Sequence, residues 1–176
     1  MSHAEVFARL YAEDGWAGGS GTGSNPDAAA PFCRFTERYL ERHQIRSVLD
    51  LGCGDGQIAQ AISWGPARYT GIDVVPRHGI TAGDIRICPW PAADLVLIKD
   101  VLQHWPTADI RALLPRLRQH AHVLVTNSAS GIRTNTDIEP GGFRSLDLAA
   151  APFGWPVQPV LRWLGDEFKV TVQLSR

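Results

Sequence analysis

The sequence predicts an α/β fold, a doubly wound and mostly parallel sheet with a C-terminal antiparallel hairpin, and three observations carry that reading. Four apolar runs, residues 48–51, RYTGIDVV, ADLVLIKD and AHVLVTN, alternate with stretches of helical periodicity, as strands covered on both faces do. A glycine turn joins the first strand to the helix after it. PVLRWLGDEFKVTVQL then holds two alternating runs around Gly165 and Asp166, which read as a hairpin. With 176 residues, 44% of them hydrophobic, the chain is expected to form one domain, 1–176, burying about 70% of its unfolded surface.

Residues 2–12 read as a short helix. Ser2 and Glu5 have capping-box spacing, and Val6, Phe7, Leu10 and Tyr11 form an apolar stripe that must pack over something. Half of GWAGGSGTGS, residues 15–24, is glycine, with no core-forming pattern. It reads either as a flexible linker or as a loop wrapping a ligand, because glycine permits positive φ and close approach. Asn25 and Pro26 open the next helical signals, and PFCRFTERYLERH puts Phe32, Phe35, Tyr39 and Leu40 on one face, to cover a side of the sheet. Residues 1–45 are therefore expected to be a helical cap with a glycine-rich lid.

After the first strand, Ile58, Ala59 and Ile62 are expected to face inward from a helix. Ile110, Leu113, Leu114 and Leu117 repeat at helical spacing, with a kink expected at Pro115. Residues 130–157 are irregular and rich in Gly and Pro. Between Asp73 and Ile80 only about six residues remain, where a parallel crossover needs about a dozen, so the sheet edge near 75–85 should be reduced.

The net charge of −1 argues against a protein built to coat nucleic acid or an anionic membrane, since both demand a basic excess. Cys33, Cys53 and Cys88 are odd in number and lack CxxC spacing, which argues against a disulfide framework or a zinc site. MSHAEVFARLYAED has no basic segment followed by an apolar one, and no stretch approaches eighteen apolar residues. A cytoplasmic protein is expected.

Asp50-Leu51-Gly52-Cys53-Gly54-Asp55-Gly56 lies between strand and helix, where an open α/β sheet binds nucleotide-like ligands. A dinucleotide fingerprint needs GxGxxG, but position 57 is Gln. Asp50, two positions before the first glycine, is placed to meet a cation, while the helix N-terminus favours a carboxylate or phosphate. A ligand with an ammonium, a carboxylate and a ribose fits both. Asp73, at the end of the second strand, is suited to accept hydrogen bonds from ribose hydroxyls.

VLDLGCGDG, GIDVV and DLVLIKDVLQHWP resemble, in that order, the motifs of class I S-adenosylmethionine-dependent methyltransferases of the small-molecule type, over about residues 30–128. The terminal hairpin resembles the family's antiparallel sixth and seventh strands. The resemblance implies a Rossmann-like sheet and S-adenosyl-L-methionine as cofactor. By it, Asp50, Gly52, Cys53, Gly54 and Gln57 line the methionine end, and Asp73 with Val74 holds the ribose. Gly83-Asp84-Ile85 resembles the adenine-site motif, with Asp84 near the amino group and Ile85 against the ring.

In that fold Lys99 to Pro106 faces the transferred methyl group. The segment has no NPPY or DPPY run and no PC dipeptide, so nucleobase methylation loses support. DVLQHW instead resembles the DVLxH segment of members that methylate small molecules. His104 and Asp100 are the candidate catalytic residues: His104 either takes a proton from an acceptor hydroxyl or packs beside Trp105. Lys99 and Asp100 either serve the chemistry or pair with each other in the cofactor pocket. A metal-dependent mechanism is not expected, because Thr126 stands where a second acid would accompany Asp100 and Asn127.

Trp16, as apolar plug of the lid, Asn127 and Arg144 are expected at the acceptor. Arg144 either holds an acidic group of the acceptor or pairs with Asp137 or Asp147 to pin the loop. The expected reaction is methyl transfer to a small molecule, at oxygen rather than nitrogen. The alternative is a cofactor-binding regulatory or partner subunit without catalysis.

Overall fold

A computed structural model describes residues 3–13, 15, 20–75, 77–130 and 134–175. Among these, seven strands form one sheet: β1 Ser47–Leu51, β2 Arg68–Asp73, β3 Thr81–Ala82, β4 Leu95–Lys99, β5 His122–Ser128, β6 Val157–Leu164 and β7 Phe168–Leu174. Their spatial order is β3-β2-β1-β4-β5-β7-β6. The first five run parallel, and β7 enters antiparallel between β5 and β6.

Both faces are buried, as the continuous apolar runs require. Leu49, Leu51, Val96, Ile98, Val123 and Val125 turn to one face, where they meet Ile110, Leu113 and Leu117 of helix α4, Thr107–Leu117. Val48, Leu95, Leu97 and Leu124, the alternate residues of the same strands, turn to the other and meet Tyr39 and Leu40 of helix α2, Ala30–Arg42. Helix α1, His3–Ala12, sends Phe7 into the first cluster, together with Leu146, Leu148 and Trp155 of the irregular segment before β6. Ser2 of the expected capping box lies outside the described residues.

One expectation is modified. Helix α3, expected after β1, is the single turn Gln57–Gln60. The chain leaves it because the Trp64 indole donates to Ala59 O at 2.9 Å and Ser63 N donates to Glu37 Oε1 at 2.9 Å. Ile62 is buried beside Phe32 and Trp163 all the same, and Ile58 packs against them. α4 runs through Pro115, and Arg118 N still reaches Leu114 O at 3.0 Å. The edge near 75–85 is reduced as expected: β3 has two residues, Ile72 facing Thr81 and Asp73 facing Ala82, after a tight turn from Arg77 to Ile80.

Asp94 staples the start of the central strands. Its Oδ2 accepts from Arg46 N and Ser47 N, both at 2.9 Å, and from Ser47 Oγ at 3.0 Å. These bonds, the one from Arg46 N foremost, hold its carboxyl below the ordinary value. The contribution is therefore present above the unfolded-state pKa and lost as pH falls through the lowered one. Asp94→Ala should lower the unfolding free energy by about 1–3 kcal/mol at pH 7, read as a reduced urea midpoint with unchanged slope.

Candidate functional site

Strand order reverses at β1, with β2 on one side and β4 on the other, and a cavity opens beyond their carboxyl ends. The turn after β1 forms its floor. Gly52 and Gly54 have φ of +76° and +63°, and a Cβ would run into Val101 at the first and into Ser20 at the second. Both conformation and space therefore demand glycine. Cys53 lines the cavity between them, and burial raises its thiol pKa.

Two carboxylates face this floor. Asp50, at 8% exposure, accepts a 2.9 Å bond from Tyr69 Oη, and burial pushes its pKa up to about 6 against the opposing pulls of Tyr69 and Lys99. Asp73 Oδ2 accepts from Gly54 N at 2.9 Å and its Oδ1 from Val75 N at 3.0 Å, so the carboxylate braces the turn. Burial raises its pKa as well. Each oxygen keeps lone-pair capacity toward the cavity.

Val74, Asp84 and Ile85 line the next stretch. Arg86 grips the Asp84 carboxylate through Nε at 3.0 Å and Nη2 at 2.6 Å. Arg116 of α4 fixes the backbone here, donating to Ile85 O and Arg86 O at 2.8 Å and to Cys88 O at 2.7 Å while lying 3.7 Å over the Trp90 ring. Sequence reasoning missed Arg116 because it comes from an element about thirty residues away.

At the end of β4 the Lys99 ammonium donates to Asp100 Oδ2 at 2.6 Å and to Gly23 O at 2.7 Å. Lys169 of β7 reaches Asp100 Oδ1 at 3.2 Å. Burial alone would raise the pKa of Asp100, but the two ammonium groups outweigh it and the carboxyl sits below its ordinary value. Asp100 is thus paired to an ammonium group on each oxygen, and its φ is +57°.

His104 lines the cavity opposite, beside Trp105. Its Nδ1 lies 2.8 Å from Gly142 O, and since a carbonyl only accepts, Nδ1 carries the proton and Nε2 the lone pair. Gln103 is anchored by Ser128 N on its Oε1 at 2.7 Å, which leaves its amide nitrogen 3.4 Å from His104 Nε2. Burial lowers the pKa of His104.

Three expected site residues are not brought here. Gln57 is exposed, its amide nitrogen donating to Asp55 Oδ2 at 2.8 Å, because the adjacent carboxylate claims it. Asn127 is buried within the sheet, paired in register with Val170, and lines no part of the cavity. Arg144, 4% exposed, spends its guanidinium on Thr136 O at 2.8 Å, Trp105 O at 2.7 Å and Asp137 at 3.6 Å, so it pins the loop. Trp16 lies outside the described residues. In the glycine-rich segment Ser20 and Ser24 line the cavity, whereas the Thr22 hydroxyl donates to Asp166 Oδ2 at 2.8 Å. Phe7 and Tyr11 of α1 complete the wall. Among the described residues no group of three His, Cys, Asp or Glu side chains could hold a metal ion, and no helix is long and apolar enough to cross a membrane.

No protein-family model matches the chain, and no curated protein matches it in sequence. Solved structures do match in fold. The 1,6-didemethyltoxoflavin-N1-methyltransferase of Burkholderia thailandensis, solved with 1,6-didemethyltoxoflavin and S-adenosylhomocysteine, superposes with a TM-score of 0.64 at 15% identity over 97% of this chain and 85% of its own. Human N-acetylserotonin methyltransferase, in complex with S-adenosylmethionine, gives 0.61 at 15% identity over 86% of this chain. A mitomycin 7-O-methyltransferase gives 0.58 at 17% identity over 96% of it. The chain spans 53% of the human enzyme and 60% of the mitomycin enzyme. The strand order, the antiparallel hairpin and these superpositions together establish that the chain has the class I S-adenosylmethionine-dependent methyltransferase fold.

Proposed function

We propose that this protein transfers the methyl group of S-adenosylmethionine to a small-molecule acceptor, at oxygen in preference to nitrogen. The observation that carries the reading is the glycine floor between two buried carboxylates, with His104 held across from it in one tautomer. The residues fit the cofactor: a Cβ at Gly52 or Gly54 would fill the cradle, Asp50 offers a buried carboxylate to an ammonium, and Asp73 offers acceptors to ribose hydroxyls. Ile85 supplies an apolar wall for a base, beside Asp84. When bound, S-adenosylmethionine supplies an electrophilic methyl group on a sulfonium that departs as a neutral thioether.

The chain's own part is alignment and proton removal. His104 Nε2 accepts the proton of the acceptor hydroxyl, and the long contact to Gln103 is one that such a hydroxyl can displace. A base fixed in this way favours oxygen, since a hydroxyl is a poor nucleophile until it sheds its proton. Residues 20–24 of the glycine-rich segment act in the lid. Ser20 Oγ accepts from Asp55 N at 2.8 Å and bonds Tyr11 Oη at 2.9 Å, Ser24 Oγ donates to Ser20 O at 3.1 Å, and Lys99 holds Gly23. Excluding water there protects the sulfonium.

Titration calorimetry with S-adenosylhomocysteine, followed by transfer of labelled methyl from the cofactor to a metabolite pool, tests the reading. Saturable binding and a labelled small molecule are expected; absence of binding would falsify it, and binding without transfer would favour a regulatory subunit.

His104→Gln should lower kcat by about 10²- to 10⁴-fold with the affinity for S-adenosylhomocysteine unchanged. Because burial favours neutral imidazole, the acid limb of kcat/KM in the native protein should fall below the ordinary histidine pKa of about 6.5 and should vanish in the variant.

Asp50→Asn should separate binding from stability. The folded Asp50 keeps its proton up to about pH 6, while an unfolded aspartate loses it near pH 4, so above that window the native fold carries a destabilising buried charge. The amide should raise the unfolding free energy of the ligand-free protein by about 2–3 kcal/mol at pH 7.5, and by almost nothing at pH 4, while weakening S-adenosylhomocysteine binding. Denaturant melts at the two pH values and calorimetry read these effects.

A further inference from the structure

The acceptor side of the cavity is walled by Val101, His104 and Trp105. Arg144, the cation that would greet an acidic acceptor, is turned away and bound to two carbonyls and Asp137. Lys99 and Lys169 are both committed to Asp100. Among the described residues, then, the acceptor side presents no uncommitted cation, and burial keeps His104 neutral.

What stands beside His104 instead is an aromatic ring. Phe143 is 51% exposed, although its flanking backbone is tied down: Gly141 N donates to His104 O at 2.9 Å, Gly142 O accepts from His104 Nδ1 at 2.8 Å, and Arg144 N donates to Gln103 O at 3.2 Å. On its other side the loop presses on α1, where a Cβ at Gly141 would come within 2.8 Å of Leu10 and 2.9 Å of Val6. Gly141 has φ of +82°, so the turn is made for this path. The backbone around the ring is thus fixed. Its centroid stands 5.8 Å from that of His104, a residue of the cavity wall, at 49°.

We propose that the acceptor is a flat, uncharged aromatic hydroxyl compound, stacked on Phe143 with its hydroxyl directed to His104. The identity of the reaction rests on the methyltransferase reading, whereas binding of the ring does not. A planar ring buries the exposed phenyl face in the offset or tilted arrangements that aromatic pairs favour, and it requires no cation. Among the described residues, an acidic acceptor would find no uncommitted counter-charge on this wall.

Equilibrium dialysis of the whole protein against 2-naphthol, its saturated counterpart 2-decalol, and 6-hydroxy-2-naphthoate, each with and without S-adenosylhomocysteine, tests this. 2-Naphthol should bind at least about fivefold more tightly than the other two. Phe143→Leu, which keeps an apolar side chain at an exposed position, should weaken 2-naphthol by about fivefold at unchanged thermal stability, and Phe143→Tyr should restore it. Equal binding of 2-decalol, preference for the naphthoate, indifference to Phe143→Leu or no binding of 2-naphthol would each overturn the platform. Binding of S-adenosylhomocysteine without 2-naphthol would overturn the platform alone, and binding of 2-naphthol without S-adenosylhomocysteine would overturn the methyltransferase reading alone.

Discussion

β1 is flanked by parallel partners on both sides, and its chain must leave the sheet between the ends of β2 and β4 through a turn with no room for a side chain at positions 52 and 54. That turn sets the rest of the site. Glycines at 52 and 54 let the backbone turn, and the turn directs Gly54 N onto Asp73. The same crowding leaves Asp50 buried at the end of β1, with Tyr69 from the neighbouring strand as its hydrogen-bond donor. Burying carboxylates is unfavourable, and the raised pKa values of both aspartates record it. A protein optimised for stability alone would have apolar or amide side chains there.

The parts of this arrangement carried by contiguous residues are legible in the sequence itself. The apolar runs, the glycine turn, Asp50, Asp73 and the shortage of residues before Ile80 are local signals, and the sheet and its floor follow from them. Tyr11, Arg116 and Lys169 come from segments far from the motif and act through contacts that no spacing rule describes. Gln57 departs from expectation, and Arg144 takes the loop-pinning one of its two expected readings, for a related reason. A sequence shows which groups a side chain can reach toward a ligand, but not which nearer partner claims it first, and here Asp55 and two backbone carbonyls do so.

Lys99, Asp100 and Lys169 show how a buried charge cluster can be useful without adding stability. Buried ion pairs recover little of their desolvation penalty, yet a half-removed pair is strongly unfavourable, so the cluster holds its geometry firmly. Through Lys99 it reaches Gly23 of the loop over the cavity, and through Lys169 the terminal hairpin. Three regions distant in sequence are thereby referred to one carboxylate.

The place of β7 between β5 and β6 carries a consequence for the order in which the molecule is assembled. β6 touches the sheet only through β7, so the two strands gain by zipping together locally before they dock on β5 as a unit. Lys169 travels on β7 and meets Asp100 only when that docking is complete. The parallel half of the sheet and its glycine floor can be in place beforehand, whereas the charge cluster beside the cavity is completed only by the docking of a strand whose lysine lies 69 residues beyond Asp100.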